Sequence, residues 1–194
     1  MIPNAVRIPA SVTDRRSRST VTFLFVGTLG YYPNEDAAMF FCTEILPRVR
    51  ASAGRPVRVL IAGSNPSARV RALAREPEIT VAGAVPDLAP HYAAADAVVV
   101  PLRAGGGTRI KVLEAFGYRR PVVSTTVGAQ GIDVTPGTHL LIGDTPGAFA
   151  RQCVRLIEAP GLGKQLAARA FEFVKTHHTP GVIQELLRRD HRRA

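Results

Sequence analysis

Long hydrophobic runs are missing from this chain of 194 residues. Its longest apolar stretches are strand-length, well short of the roughly 20 residues a membrane-crossing helix needs. The N-terminus carries no apolar signal core. The expectation is a cytoplasmic protein, with peripheral attachment at the inner membrane surface left open. Cysteine is scarce: Cys42 and Cys153 both fall inside helical patterns without a partner motif, which predicts free thiols in or near the core. The five histidines show no metal-ligand spacing, and His177-His178 reads as a helix end, so no metal and no other cofactor are expected. Acidic residues are few, 15 against 25 Lys and Arg, for a formal net charge of +10. That excess is mostly terminal. Residues 1–20 hold four Arg and one Asp, and residues 164–194 hold seven Lys or Arg and three acids. Basic tails of this kind are solvated ends or contacts to a partner or membrane surface. Without aromatic residues interleaved among the cations, nucleic acid is not an expected partner.

What is present is alternation. The length suits about one domain, and 46% hydrophobic with 21% charged residues is ordinary globular composition. Strands are predicted at Phe23–Gly27, Val57–Gly63, Ile79–Gly83, Ala97–Leu102, Pro121–Ser124 and His139–Ile142. Helices are predicted between them at Asp36–Val49, Ser67–Arg75, Asp87–Ala95 and after the glycines at 105–107. Three more close the chain, at Pro146–Glu158, Gly163–Thr176 and Pro180–Arg192. Short apolar strands separated by helices imply a parallel sheet covered on both faces. The fold class is α/β: a Rossmann-like, doubly wound parallel sheet of about six strands with C-terminal helices. Ligands of such sheets bind at the carboxyl ends of the strands. The first loop, Gly27-Thr28-Leu29-Gly30, lacks G-x-G-x-x-G and is not followed at once by a helix, which argues against a nicotinamide dehydrogenase.

One stretch stands out: Gly105-Gly106-Gly107-Thr108-Arg109-Ile110-Lys111-Val112-Leu113-Glu114. Its glycines sit where a strand ends and a helix begins, so backbone can approach a ligand and the next turn's amides lack helical acceptors. Those amides and the positive helix end make an anion site. Arg109 and Lys111 add cations to a first turn where the dipole favours acids, which is locally costly and points to an anionic ligand. Glu114 follows on the face of Lys111. A phosphate end with a carboxylate one turn on suits a molecule carrying diphosphate and hydroxyl groups. The plainer alternative is a turn that merely reverses the chain, with Glu114 as a surface acid paired to Lys111.

The segments "FVGTLGYYPNEDAA", "VRVLIAGSNP" and "ITVAGAVPDLAPHYAAADAVVVPLRAGGGTRIKVLEAFGYRRPVVSTTVGAQGI" together resemble the C-terminal, donor-binding domain of family 4 glycosyltransferases with the GT-B fold. The resemblance covers residues 21 to about 176. It implies a nucleotide-sugar donor, with the diphosphate held at Gly106, Gly107, Thr108 and Arg109 and with Lys111 nearby. It also implies the ribose on Glu114, the base against Val85 and Pro86, and the first loop at Gly27 and Thr28 beside the donor. No catalytic residue of this chain follows from it.

Two departures from the family pattern leave the sugar open. The earlier glutamate of the family's E-x7-E would fall on Gly106, and the loop positions that carry Arg and Lys in many members read Thr28 and Pro33. At the front, Ile2-Pro3-Asn4-Ala5-Val6 resembles the family's interdomain linker. The expected organisation is a basic linker-like segment at 1–20, the nucleotide-sugar-binding domain at 21–176 and a basic helix at 177–194. The expected function is the donor half of a retaining hexosyltransferase acting on a glycan or lipid-linked acceptor. On its own it is expected to bind donor with little or no transfer, since the acceptor-side groups are absent. The alternative is a non-catalytic subunit or interaction module that needs a separate acceptor-domain chain. Val182, Ile183, Leu186 and Leu187 of the last helix either lack their partner surface or pack onto this domain.

Overall fold

Six apolar runs form strands: β1 Val21–Val26, β2 Val57–Ala62, β3 Ile79–Gly83, β4 Ala97–Val100, β5 Val122–Ser124 and β6 Leu141–Ile142. The computed structural model describes residues 4–12, 14 and 19–191. All six strands pair in parallel, in the order β3-β2-β1-β4-β5-β6. β1 and β4 are apolar at nearly every position because both faces are covered: Leu24, Phe25 and Val98 to Val100 are buried completely or nearly so. The strand order reverses between β1 and β4. Chain leaving these two neighbours therefore diverges, and a crevice opens at their carboxyl ends. The sixth strand is shorter than the run His139–Ile142 suggests, with Leu140 in an isolated bridge to Pro136.

The helix after β1 corrects the expected Asp36–Val49. It starts at Tyr32 as α1 (Tyr32–Phe40), widens into a π-turn (Phe41–Ile45) and runs on as α2 (Leu46–Ser52). Pro47 accounts for the wide turn. Its nitrogen has no proton to donate and its ring crowds the carbonyl four residues back, and the Leu46 N–H reaches Phe41 O, five residues earlier. The predicted inner face is correct, since Ala37, Phe40, Phe41, Ile45 and Leu46 are all buried.

α3 (Ala68–Ala72) is capped by the Ser67 hydroxyl, which accepts the Val70 N–H at 3.2 Å, and passes into a 3-10 turn at Leu73–Arg75. α4 (Ala89–Ala94) is shorter than expected; Asp87 stays outside it and accepts the Ala89 N–H at 2.8 Å. α5 (Ile110–Gly117) follows the glycine loop. α6 (Thr126–Ala129) has no counterpart in the sequence-based reading. α7 (Pro146–Glu158) starts and ends where expected. α8 (Pro160–His177) begins three residues before the expected Gly163, and α9 spans Pro180–His191.

α2 packs with α7 and α5 with α8. Between sheet and helices, Phe23, Phe41 and Phe149 meet edge to face, with successive ring centroids 6.0 Å apart. Cys42 and Cys153 are free and buried in this core. Burial pushes the Cys42 thiol up to about 12 and the Cys153 thiol higher still.

The N-terminal segment is stitched to the end of α8. The buried Val6 donates its N–H to His178 O at 2.8 Å, and His178 Nδ1 lies 2.9 Å from Asn4 O. In α9, Ile183 is buried on this domain and Val182 partly so; the Leu186 and Leu187 side chains lie outside the described residues. Among the described residues, no helix is long and apolar enough to cross a membrane.

Candidate functional site

The crevice at the carboxyl ends of β1 and β4 collects most of the residues singled out in the sequence. Its floor depends on two glycines. A Cβ on Gly63 would lie 1.6 Å from Gly27 O, so the ends of β1 and β2 can touch only without side chains. A Cβ on Gly27 would lie 2.8 Å from Asn34 Cγ and 2.9 Å from Lys111 Nζ. Gly27 thus leaves space for a polar pair between the first loop and α5.

That pair is Lys111 and Asn34. Lys111 Nζ donates to Asn34 Oδ1 at 2.6 Å, and Asn34 Nδ2 donates to Thr28 O at 2.9 Å. The ammonium also lies 4.7 Å from the centroid of the Phe25 ring, a cation–π contact. Burial, with the Arg109 charge and against the pull of Glu114, lowers the Lys111 pKa from its ordinary 10.5 to about 8. In the sequence Asn34 lies within "FVGTLGYYPNEDAA". Its helical position says nothing of its partner, 77 residues away.

The glycine loop is held from beneath by Arg109. Gly105 and Gly107 take positive φ, +115° and +87°, which only glycine adopts readily. The chain is bent so that Arg109, the N-cap of α5, is 5% exposed. Its Nη2 donates to Gly105 O at 2.8 Å, its Nη1 to Gly106 O at 3.2 Å and its Nε to Val127 O at 3.0 Å. The spacing suggested a cation presented at the helix start; the structure places the guanidinium under the loop, tying it to α6. α6 in turn lies flush on the sheet, since a Cβ on Gly128 would come 2.4 Å from Ser124 Oγ and 2.5 Å from Val100 O. Gly106, Gly107 and Thr108 are exposed at the crevice. A second tie across the opening joins Arg103 to Asp36 in α1 through two hydrogen bonds.

One turn along α5, Glu114 is half-buried and accepts from the Tyr92 hydroxyl at 3.3 Å. Tyr92 is fully buried and stacked on Tyr118, ring centroids 4.3 Å apart. Burial raises the Glu114 pKa, with the Tyr92 hydrogen bond and Lys111 acting in the opposite direction. Glu114 forms no ion pair with Lys111 among the described residues, so the alternative of a paired surface acid does not hold. Val85, partly buried, and Pro86, exposed, follow β3 at the same edge of the sheet. Around the opening, Tyr31, Tyr32 and Ile110 are exposed by 51%, 69% and 43%. A separate cavity of about 630 Å³ lies at the other edge, where β1, β4 and β5 begin, and is remote from the glycine loop.

A family model described as "Glycosyl transferases group 1" matches residues 20–159. The chain is 23% identical over 173 residues to an uncharacterized 44.6 kDa protein in the cps region of Klebsiella pneumoniae, covering 85% of this chain and 44% of that protein. Its fold is similar to that of Anabaena HepE, solved in complex with UDP and glucose. The TM-score is 0.70 at 14% identity, over 89% of this chain and 48% of that one. It is also similar to the separately solved C-terminal domain of LpcC, a glycosyl transferase group 1 family protein from Francisella tularensis. There the TM-score is 0.65 at 14% identity, over 87% of this chain and 89% of that one. The chain thus spans about half the length of HepE, less than half of the Klebsiella relative, and most of an isolated C-terminal domain.

Proposed function

Because the chain belongs to the group 1 glycosyl transferases and has the fold of one half of a GT-B enzyme, we propose that it is the donor-binding half of a retaining, family 4-type hexosyltransferase. The observation that carries this reading is the crevice itself, where an exposed glycine loop, a half-buried ammonium and a half-buried carboxylate meet at the point of strand reversal.

In this reading the donor's diphosphate lies on Gly106, Gly107 and Thr108 at the start of α5, where unpaired amides and the helix dipole favour an anion. Glu114 accepts from the ribose diol, and charge-assisted bonds of that kind run about twice the strength of neutral ones. The base packs on Val85 and Pro86, and Gly27 and Thr28 border the phosphates. Arg109 acts by shaping the loop. During transfer the bond from the sugar's anomeric carbon to the β-phosphate oxygen breaks and its electron pair stays on the diphosphate. The acceptor hydroxyl bonds to that carbon and releases its proton. Amides and a cation fixed at the diphosphate stabilise the charge as it develops. The acceptor, a glycan or lipid-linked sugar, is met by groups outside this chain, on a separate acceptor-domain partner or at a membrane surface.

Thermal unfolding in the presence of UDP-, GDP- and ADP-sugars, with Glu114→Ala in parallel, tests the reading. A ligand at 100 times its dissociation constant stabilises by about 2.7 kcal/mol. Stabilisation by the sugars of one nucleotide, lost in the variant, is expected. No stabilisation by any of them at millimolar concentration refutes it.

A further inference from the structure

Beside the crevice opening lies a groove of about 350 Å³, lined by Tyr32, Glu35, Asp36 and Glu44 from the helix after β1, by Arg69 of α3 and by Arg103. Arg103 is fixed as one wall: its fork donates to both Asp36 oxygens, at 3.0 and 2.5 Å, and its guanidinium lies 4.3 Å from the centroid of the Phe40 ring. The other ion pairs of the groove are open. Arg69 Nη1 stands 3.7 Å from Glu35 Oε1, and Arg103 Nη1 stands 4.0 Å from Glu44 Oε1. Those distances offset charge but exceed hydrogen-bond length. Tyr32 is 69% exposed, the most of the three exposed large hydrophobic side chains among the described residues, all of which border the opening. An aromatic face at the mouth thus stands over nearly balanced donors and acceptors. An anion would meet three carboxylates there and a cation two guanidiniums. A neutral polyol finds partners in both.

We propose that this groove is a subsite for a neutral pyranose of an acceptor glycan, stacked on Tyr32 and hydrogen-bonded by Glu35, Glu44 and Arg69. A pyranose has a C–H face to lay on an aromatic ring and a rim of hydroxyls that both donate and accept. Tyrosine suits such a half-wet contact, because its ring is apolar and its hydroxyl stays solvated. The volume falls within the roughly 300–1,000 Å³ of small-molecule sites. Charged walls set the groove apart from the centre of a protein interface, which is depleted in charge. The assignment to an acceptor rests on the donor-site reading above. The Tyr31 hydroxyl lies 3.9 Å, and Pro33 Cβ 3.1 Å, from where a Cβ on Gly105 would be. The mouth of the groove therefore adjoins the loop that, in that reading, holds the diphosphate from which the sugar departs. This chain thereby adds one acceptor contact to those outside it.

The experiment is saturation-transfer NMR of the whole chain with the methyl glycosides of glucose, galactose, mannose, rhamnose and N-acetylglucosamine at millimolar concentration. Expected is transfer to at least one of them, strongest at the protons of one ring face and unaffected by UDP, GDP or ADP. Tyr32→Ala should weaken that glycoside about five- to tenfold, the worth of an aromatic face. Arg69→Ala should weaken it about tenfold through a lost charge-assisted bond. The Arg69 side chain is 71% exposed and Tyr32 is likewise at the surface, so both variants should keep the wild-type unfolding midpoint. No transfer to any glycoside, an affinity unaltered in both variants, or tighter binding of glucose 6-phosphate than of the glucoside overturns the proposal. So does displacement by a nucleotide, which would put the glycoside in the donor crevice. Glycoside binding by a chain that no nucleotide sugar stabilises keeps the sugar site, removes its assignment to an acceptor and refutes the donor-site reading. Nucleotide-sugar binding without glycoside binding refutes the groove alone.

Discussion

If the Lys111 ammonium is held for a ligand, the ligand-free fold bears its cost, and Lys111→Met should be more stable than wild type at neutral pH. The magnitude follows from the site. The pKa falls from 10.5 to about 8, and at about 1.4 kcal/mol per pH unit this amounts to about 3 kcal/mol. Partial hydration of the buried charge and loss of the Asn34 hydrogen bond, about 1 kcal/mol, leave a net gain of about 1–2 kcal/mol. For a domain of this size that is about 2–8 °C in Tm. The sign of the pH dependence is fixed by linkage. Between about pH 8 and 10.5 the unfolded chain binds the proton and the folded chain does not, so wild-type stability from this group rises with pH. The penalty is fully present below about pH 8 and absent above about 10.5. Urea denaturation of both proteins at pH 7 and pH 10 measures it. The variant's advantage should shrink by most of its value between the two. An advantage of the same size at both pH values, or a variant destabilised equally at both, refutes the account of Lys111 as a half-buried, uncompensated charge.

The supports of the glycine loop can be probed in the same way. Arg109→Ala removes three hydrogen bonds from a buried cation, two to loop carbonyls and one to α6, and should cost about 3 kcal/mol in denaturant unfolding; lost ligand affinity with unchanged stability would show that Arg109 is a ligand contact and not a strut. Gly128→Ala forces a methyl to within 2.5 Å of Val100 O, so it should destabilise by about 1–3 kcal/mol, and an unaltered unfolding midpoint would mean that α6 does not lie flush on the sheet.

The strands and their parallel arrangement were legible because uninterrupted apolar runs such as Phe23–Val26 and Ala97–Val100 can be satisfied only between two covering layers; the order β3-β2-β1-β4-β5-β6 was not. Helix starts were less so. Tyr31 caps α1 without a side-chain hydrogen bond, so no Ser, Thr, Asp or Asn marked the turn at Tyr32, and Asp36 looked like the first helical signal. At α8, Pro160 occupies the first turn directly after α7, and the sequence marked the start only at Gly163. α6 is four residues long, too short to show a period. Spacing placed Arg109 and Lys111 in one helical turn and stopped there. Which of them folds beneath the loop and which faces Asn34 depends on the positive φ values at Gly105 and Gly107 and on chain 77 residues upstream. Glu114 was legible as a carboxylate one turn beyond the glycine loop; its partner Tyr92 was not, because it comes from a different crossover.

The bond between Val6 and His178 makes this domain a loop closed on itself. The N-terminal segment and the end of α8 are joined there by two hydrogen-bond contacts, of 2.8 and 2.9 Å. Residues 172 positions apart are thereby brought together, so the loop-closure entropy between the N-terminal segment and α8 is already lost in the folded domain. The start of the described chain and the turn into α9 are therefore held at one place beside the C-terminus of α8.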